Sequence, residues 1–157
     1  MAHKTRETIR TAVVLLCGIL LFLVASVCLE RLLAPNDFVL IHKMYTPLPP
    51  EQSALFYKQL SHSADITVYV VDPLAAIIVG LFVGLLQRRN AVILAGCCLI
   101  PDFIISQFDD TRKLWEYSLK GISIYAFHHA LPFAGAMVTA AACQYLISLR
   151  HRATTTA

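Results

Sequence analysis

The stretch Ile66–Gly84, ITVYVVDPLAAIIVGLFVG, carries one charged residue, Asp72, in an otherwise uncharged and largely apolar run. A helix of about 20 apolar residues crosses the ~30 Å hydrocarbon core of a bilayer, so this stretch predicts a membrane-spanning helix. An ionisable group there is costly, and Asp72 is therefore expected to face other helices. Pro73 removes a helix hydrogen bond, and a carbonyl freed in this way belongs beside a cavity or an internal polar group. The stretch thus predicts both a span and part of an internal polar site.

The composition of the whole chain is typical of a membrane protein. Of its 157 residues, 57% are hydrophobic and only 15% are charged, and the mean hydropathy is +0.64. In a soluble domain, about a quarter of the residues are charged. The apolar residues form four segments, residues 11–33, 66–87, 91–108 and 122–149. We therefore predict an all-α membrane protein with a four-transmembrane-helix bundle as its single domain.

The first apolar segment has an alternative interpretation. Residues 1–26 begin with a basic stretch and end at a tolerable cleavage site, as a signal peptide does. The uncharged run is longer than the apolar region of a usual signal peptide. We therefore interpret it as the first span and keep cleavage as the alternative.

The basic residues predict the orientation of the chain. With four spans, both termini share one side of the membrane with the turn between the second and third spans. That side has the denser group of basic residues near the span ends: Lys4, Arg6, Arg10, Arg88, Arg89, Arg150 and Arg152. Because basic residues concentrate in short cytoplasmic segments, we expect both termini, including the tail 150–157, in the cytoplasm and the protein in the cell membrane. No basic stripe with interleaved aromatic residues indicates nucleic-acid binding.

The two segments expected outside, residues 34–65 and 109–121, each contain a pattern typical of a short amphipathic helix. In the first segment, Pro50 suits the first turn of a helix with an apolar side. In the second, Gly121 suits a helix end. Short amphipathic helices beside a span lie on the bilayer surface, so we predict two interfacial helices on the outer side.

Small residues form stripes on three of the predicted spans, at steps of about one helical turn. The stripes contain Ala76, Gly80 and Gly84 on the second span, Ala95 and Cys98 on the third, and Gly135 and Thr139 on the fourth. Each stripe leads to a polar residue: Asp72, Asp102 or His128. Because membrane helices pack closely over small residues, these stripes should face the interior of the bundle.

The polar residues at the stripe ends lie at a similar depth. Asp72, Asp102 and His128 are each six residues from one end of their predicted spans. At about 1.5 Å per residue, that is roughly 9 Å below the boundary. We predict a polar layer in the outer leaflet formed by Asp72, Asp102, His128, His129 and, at its edge, Glu30. His42 and His62 of the outer segment are placed to cover it.

Two carboxylates and an imidazole at one level suit a proton or a divalent metal such as Zn, Mn or Fe. Adjacent residues on a helix point about 100° apart, so only one of His128 and His129 is expected to face inward. Haem or a pigment held by one of these histidines is a further alternative.

Three functions are consistent with these features. The first, which we place foremost, is a non-catalytic accessory subunit or assembly partner of a membrane complex, either with other subunits or as a homo-oligomer. The second is a metal-ion or proton binding or transport site within the bundle. The third is an intramembrane metal-dependent hydrolase. The sequence holds no serine nucleophile motif, HExxH motif or Cys-His arrangement, so it favours the non-enzymatic functions.

Overall fold

The computed structural model describes residues 2–34, 50–87, 89–110 and 119–155, and every regular element in these ranges is a helix. The elements are α1 (Ala2–Leu33), α2 (Pro50–Ile66), a π-helical segment (Thr67–Val71), α3 (Asp72–Leu86), α4 (Ala91–Cys97), α5 (Ile100–Asp110) and α6 (Leu119–Thr155). The all-α prediction is confirmed for the described residues.

Three helical stretches are long and apolar enough to cross a membrane: Thr5–Leu33, Leu55–Leu86 and Ala126–Arg152. Large apolar side chains on α1 point away from the other helices, among them Leu16 and Leu20, each 62% exposed. A continuous apolar surface of this kind is unfavourable in water and suits contact with lipid. These are the features of a membrane protein, in agreement with the composition.

The predicted third span, residues 91–108, differs from the other three. A turn at Cys98–Leu99 divides it into α4 and α5. Its apolar part, Ala91–Ile105, is shorter than the three candidate spans. Pro101 has no N–H to donate to the Cys97 carbonyl, which explains why the helix is interrupted here. A fourth crossing by this segment stays a prediction.

The helix predicted near Pro50 is present, but it does not end before the second span. α2, the π-helical segment and α3 follow one another without interruption from Pro50 to Leu86. The predicted boundary at Ile66 is therefore not a helix end, and the candidate span already begins at Leu55. Most of the other predicted surface helix (residues 111–118) and His42 lie outside the described residues.

Side-chain contacts at the end of α3 show how the helices are oriented. Arg10, near the start of α1, donates a hydrogen bond to the Leu86 carbonyl. Gln144, late in α6, donates to the Gln87 carbonyl at 2.6 Å. Phe22 and His128, in contrast, lie with Asp72 at the start of α3. α1 is therefore antiparallel and α6 parallel to α3, so the start of α1 and the end of α6 share one end of the bundle. We call it the arginine end.

α3 and α6 approach closely over the small residues of two predicted stripes. A Cβ on Gly84 would lie 2.7 Å from the Cβ of Cys143, and a Cβ on Gly80 would lie 2.9 Å from the Cβ of Thr139. Only glycine permits this separation of the two helices. The Thr139 hydroxyl donates to the Gly135 carbonyl at 2.7 Å within α6, so its polar group is satisfied in the contact.

The small residues of the third stripe are also buried inside the chain. Ala95 is fully buried and Cys98 is 1% exposed. The Cys98 side chain lies against Gly18 of α1, and its thiol donates to the Leu15 carbonyl at 3.8 Å. The stripes therefore join helices of the same chain.

Candidate functional site

A cavity of about 270 Å³ lies at the end of the bundle opposite the arginine end. Four of the five residues predicted to form the polar layer line it: Asp72, Asp102, His128 and His129. The other lining residues are Phe22, Val68, Leu99, Phe103, Pro132 and Phe133. We call this cavity the carboxylate pocket.

The fifth residue of the predicted layer, Glu30, lies at the edge of this site. It is half-buried and does not line the cavity, but it is close enough to Asp72 for their charges to interact. His62, which was expected to cover the layer, is exposed on α2 and does not line the pocket.

The π-helical segment Thr67–Val71 leads directly into the pocket at Asp72. The backbone N–H of Asp72 donates to the Thr67 carbonyl, five residues earlier, where a regular α-helix would use the fourth. Pro73 provides a physical reason, because its ring clashes with the carbonyl of Tyr69 and it has no N–H to bond there. The wider turn therefore sets the direction of Asp72, and such turns are frequent at functional sites.

Asp102 enters the pocket from the first turn of α5. The turn at Cys98–Leu99 lets α5 begin at Ile100, so Pro101 occupies a first-turn position where a missing N–H costs no helix hydrogen bond. The Asp102 carboxylate is half-buried and interacts electrostatically with His129.

The two histidines of α6 flank the pocket although they are adjacent in sequence. His128 Nε2 and the Tyr69 hydroxyl share a hydrogen bond, and their rings meet edge to face with centroids 4.7 Å apart. The ring of His129 meets that of Phe103 with centroids 5.4 Å apart. The expectation that only one histidine faces inward is wrong, because the two side chains approach one cavity from different sides.

Pro132 adds a backbone acceptor near the pocket. It lies within α6 and lines the cavity. Since it has no N–H, it cannot donate to the His128 carbonyl one turn earlier. That oxygen therefore lacks its usual helix donor and can accept a hydrogen bond from another group.

The charges at the pocket favour a positively charged ligand. Asp72 is half-buried and interacts electrostatically with both Asp102 and Glu30, whose like charges repel its own. Among the described side chains that line the cavity, only the two histidines can carry a positive charge. A bound cation would relieve the repulsion between the carboxylates.

Phenyl rings form half of the apolar lining, three of the six apolar residues. Phe22 is 2% exposed, and Phe103 and Phe133 meet edge to face with centroids 5.9 Å apart. The faces of aromatic rings carry negative charge density and attract cations. The aromatic and acidic parts of the pocket thus favour the same class of ligand.

A divalent metal fits this arrangement less well. Within the described ranges, no three His, Cys, Asp or Glu side chains lie where they could hold one metal ion. The predicted metal site therefore gains no support from the geometry and stays a prediction.

Sequence reasoning missed Tyr69 and Phe22. Tyr69 lies three residues before Asp72, a spacing that places two residues near each other on a helix, so a signal for it was present. Phe22 had no such signal, because the apolar residues of α1 surround the helix and do not indicate which face is buried.

No protein-family model matches the chain, and no curated protein and no solved structure matches it.

Proposed function

We propose that the protein binds a small organic cation within the membrane, in the carboxylate pocket. One observation carries the proposal: two carboxylates and three phenyl rings line the same cavity in a bundle of apolar helices. A positive charge stabilises carboxylates in apolar surroundings, and phenyl faces bind ammonium groups. The acidic and the aromatic parts of the lining therefore both favour cations over neutral molecules and anions.

The size of the pocket favours an organic cation over a bare ion. An apolar cavity of about 150 Å³ holds one benzene molecule. The carboxylate pocket, at about 270 Å³, is nearly twice as large. It therefore accommodates a ligand of roughly ten non-hydrogen atoms, such as a small alkylammonium. The charged nitrogen would lie between the carboxylates, and its carbon substituents would pack against the rings.

The sequence predicts a metal-ion or proton site at these residues, and the proposal places an organic cation at the same residues instead. The short chain, the lack of a catalytic motif and the small-residue stripes together favour an accessory subunit. Those stripes instead join α3 to α6 and α4 to α1 inside the chain. These internal contacts do not account for the acidic and aromatic lining of the carboxylate pocket.

Thermal unfolding of the purified protein in an uncharged detergent tests the proposal. A ligand that binds only the folded state raises the unfolding temperature. We expect tetramethylammonium to raise it, and tert-butanol, which has nearly the same shape without the charge, to leave it unchanged. Asp72→Asn and Asp102→Asn should each abolish the shift. Asp65→Asn, which changes an exposed aspartate on α2, should retain it.

A second variant examines the aromatic part of the pocket. Phe103→Leu should weaken tetramethylammonium binding roughly fivefold, because one cation–π contact is lost. Phe127→Leu is the matched control, since Phe127 is 59% exposed on α6 and does not line the pocket. If tert-butanol stabilises the protein as well as tetramethylammonium does, or if the aspartate variants keep the shift, the proposed function is wrong.

For the topology, we propose four spans with both termini in the cytoplasm of a cell-membrane protein. Two observations support this arrangement: the density of basic residues near the arginine end, and the contacts that bring the start of α1 and the end of α6 together. Reporter enzymes fused to each terminus test it. Both fusions should report the cytoplasm, and reporters on opposite sides would contradict it.

A further inference from the structure

The arginine end contains a second, larger cavity, distinct from the carboxylate pocket. It has a volume of about 1010 Å³ and lies between the first half of α1 and the turn that joins α3 to α4. The described residues that line it include Arg10, Thr11, Leu15, Gln87, Arg89 and Asn90. α3 separates this cavity from Asp72 by about 21 Å, at 1.5 Å per residue over Asp72–Leu86.

The charged residues of this cavity favour an anion. Arg10 and Arg89 line it, and among the described residues of the lining Glu7 is the one carboxylate. Arg6, one helical turn before Arg10, lines the adjoining cavity together with Glu7 and Arg10. The guanidinium group presents paired N–H donors that match the oxygens of a phosphate.

Two hydrogen bonds beside the cavity join α1 to the end of α3. Arg10 donates to the Leu86 carbonyl, which uses one of its five N–H donors and leaves the rest for other acceptors. The Gln87 side-chain amide donates to the Thr11 hydroxyl at 3.0 Å and ties the end of α3 to α1. Asn90 takes a left-handed conformation (φ 57°), which makes the turn after Arg89 tight. Both arginine side chains are exposed at this cleft, Arg10 on α1 and Arg89 in the turn after α3.

The apolar part of the lining favours a lipid over free phosphate. Ala12 and Leu15 line the cavity beside the arginines. The surface of α1 continues from there with exposed apolar side chains, including Val13, Leu16 and Leu20. A free phosphate ion would contact only the polar residues of the lining. The acyl chain of a phospholipid can also lie along the apolar surface of α1. Basic pockets at the membrane boundary bind anionic headgroups in this way.

We propose that this cavity binds the phosphate group of an anionic phospholipid, with Arg10 and Arg89 on the phosphate and an acyl chain along α1. The site is independent of the carboxylate pocket, so either proposal can fail without the other.

Native mass spectrometry of the protein released from lipid nanodiscs tests the proposal. The nanodiscs contain equal amounts of phosphatidylglycerol and phosphatidylcholine, and the readout is the ratio of the two lipids retained. We expect the wild type to retain phosphatidylglycerol preferentially. Replacing Arg10 or Arg89 with glutamine should lower the preference about fivefold for each arginine removed. The matched control is Arg150→Gln with Arg152→Gln, which removes two exposed arginines of α6 near the same end.

The outcomes are distinct. An equal loss of preference in the control variant would show general attraction to basic residues and overturn the proposal. Release of phosphatidylglycerol by inorganic phosphate would assign the site to free phosphate and overturn the lipid assignment. Arg10 also donates a hydrogen bond to the end of α3, so Arg10→Gln can unfold the protein. In that case, the lipid ratios retained by Arg89→Gln and by the wild type test the proposal. A wild type without a preference for phosphatidylglycerol overturns the proposal outright.

Discussion

Tyr69 and His128 lie 59 residues apart in sequence and share a hydrogen bond at the carboxylate pocket. The bond joins the π-helical segment Thr67–Val71 to α6. Their rings meet edge to face, which adds a packing contact to the polar one. The pair therefore ties the segment that carries Asp72 to the helix that carries both histidines.

Removal of this hydrogen bond should destabilise the protein slightly. Tyr69→Phe keeps the ring contact and loses the hydroxyl, so we expect a loss below about 1 kcal/mol, because Tyr69 is 44% exposed. The measurement is the unfolding temperature in detergent. Tyr145→Phe, on an exposed position of α6, is the control and should unfold like the wild type. A drop as large in the control would show that the bond to His128 is not the cause.

The carboxylates should lower stability rather than raise it. Asp72 and Asp102 repel each other in half-buried positions, so Asp72→Asn and Asp102→Asn should raise the unfolding temperature in the absence of ligand. Residues arranged to bind a ligand commonly lower the stability of the folded protein when no ligand is bound. Asp65→Asn should leave the temperature unchanged.

A lower unfolding temperature in an aspartate variant would contradict this prediction. If either variant unfolds at a lower temperature than the wild type, the aspartate contributes to a structural network that holds the helices in register. The polar layer would then be structural, and the cation-binding proposal would lose its main support.

Glycines at the α3–α6 contact should not tolerate a side chain. A Cβ at Gly84 would meet the Cβ of Cys143 and the backbone of α6, and a Cβ at Gly80 would meet the Ala136 carbonyl oxygen. We expect Gly80→Ala and Gly84→Ala to cost about 1–3 kcal/mol each, the usual range for overpacking. Gly135→Ala is the control, because the nearest atoms to its Cβ would be 3.7 Å away. Thermal unfolding of the three variants measures the difference, and equal stabilities would contradict this account of the contact.

Much of the fold and of the site follows from the sequence, for identifiable reasons. Long apolar segments indicate spans because the bilayer sets their length. Small residues at steps of one helical turn indicate buried helix faces, and this pattern predicts that Gly80 and Gly84 are buried. Because these faces lead to Asp72, Asp102 and His128, the sequence predicts that the three residues lie near one another. The structure places all three at one cavity.

Other features do not follow from a regular helical pattern. The π-helical segment before Asp72 breaks the step of four on which such patterns depend. The interruption at Cys98–Leu99 arises where Pro101 removes a backbone bond, although the side chains there are apolar throughout. The bonds from Arg10 and Gln144 to carbonyls of α3 depend on how three helices pack, which no single helix encodes.

The oligomeric state tests the accessory-subunit hypothesis. We expect native electrophoresis of gently solubilised membranes to show the protein alone or as a small homo-oligomer, because its small-residue stripes are already occupied within the chain. Purified protein mixed with extract of cells lacking it serves as the control for adventitious association. A much larger native complex, absent from the control, would support an accessory subunit.

The wide turn before Asp72 has a consequence for the spacing of the chain. A turn closed over five residues holds one residue more than its neighbours, so the loss of a single residue from Thr67–Val71 would restore ordinary winding. The helices on either side, α2 and α3, would keep nearly the same rotation about the helix axis, because the wide turn takes up its extra residue within one turn. The side chains inside the interval would change their positions instead, so Tyr69 would lose its place opposite His128. The number of residues in this short interval therefore matters as much as their identity.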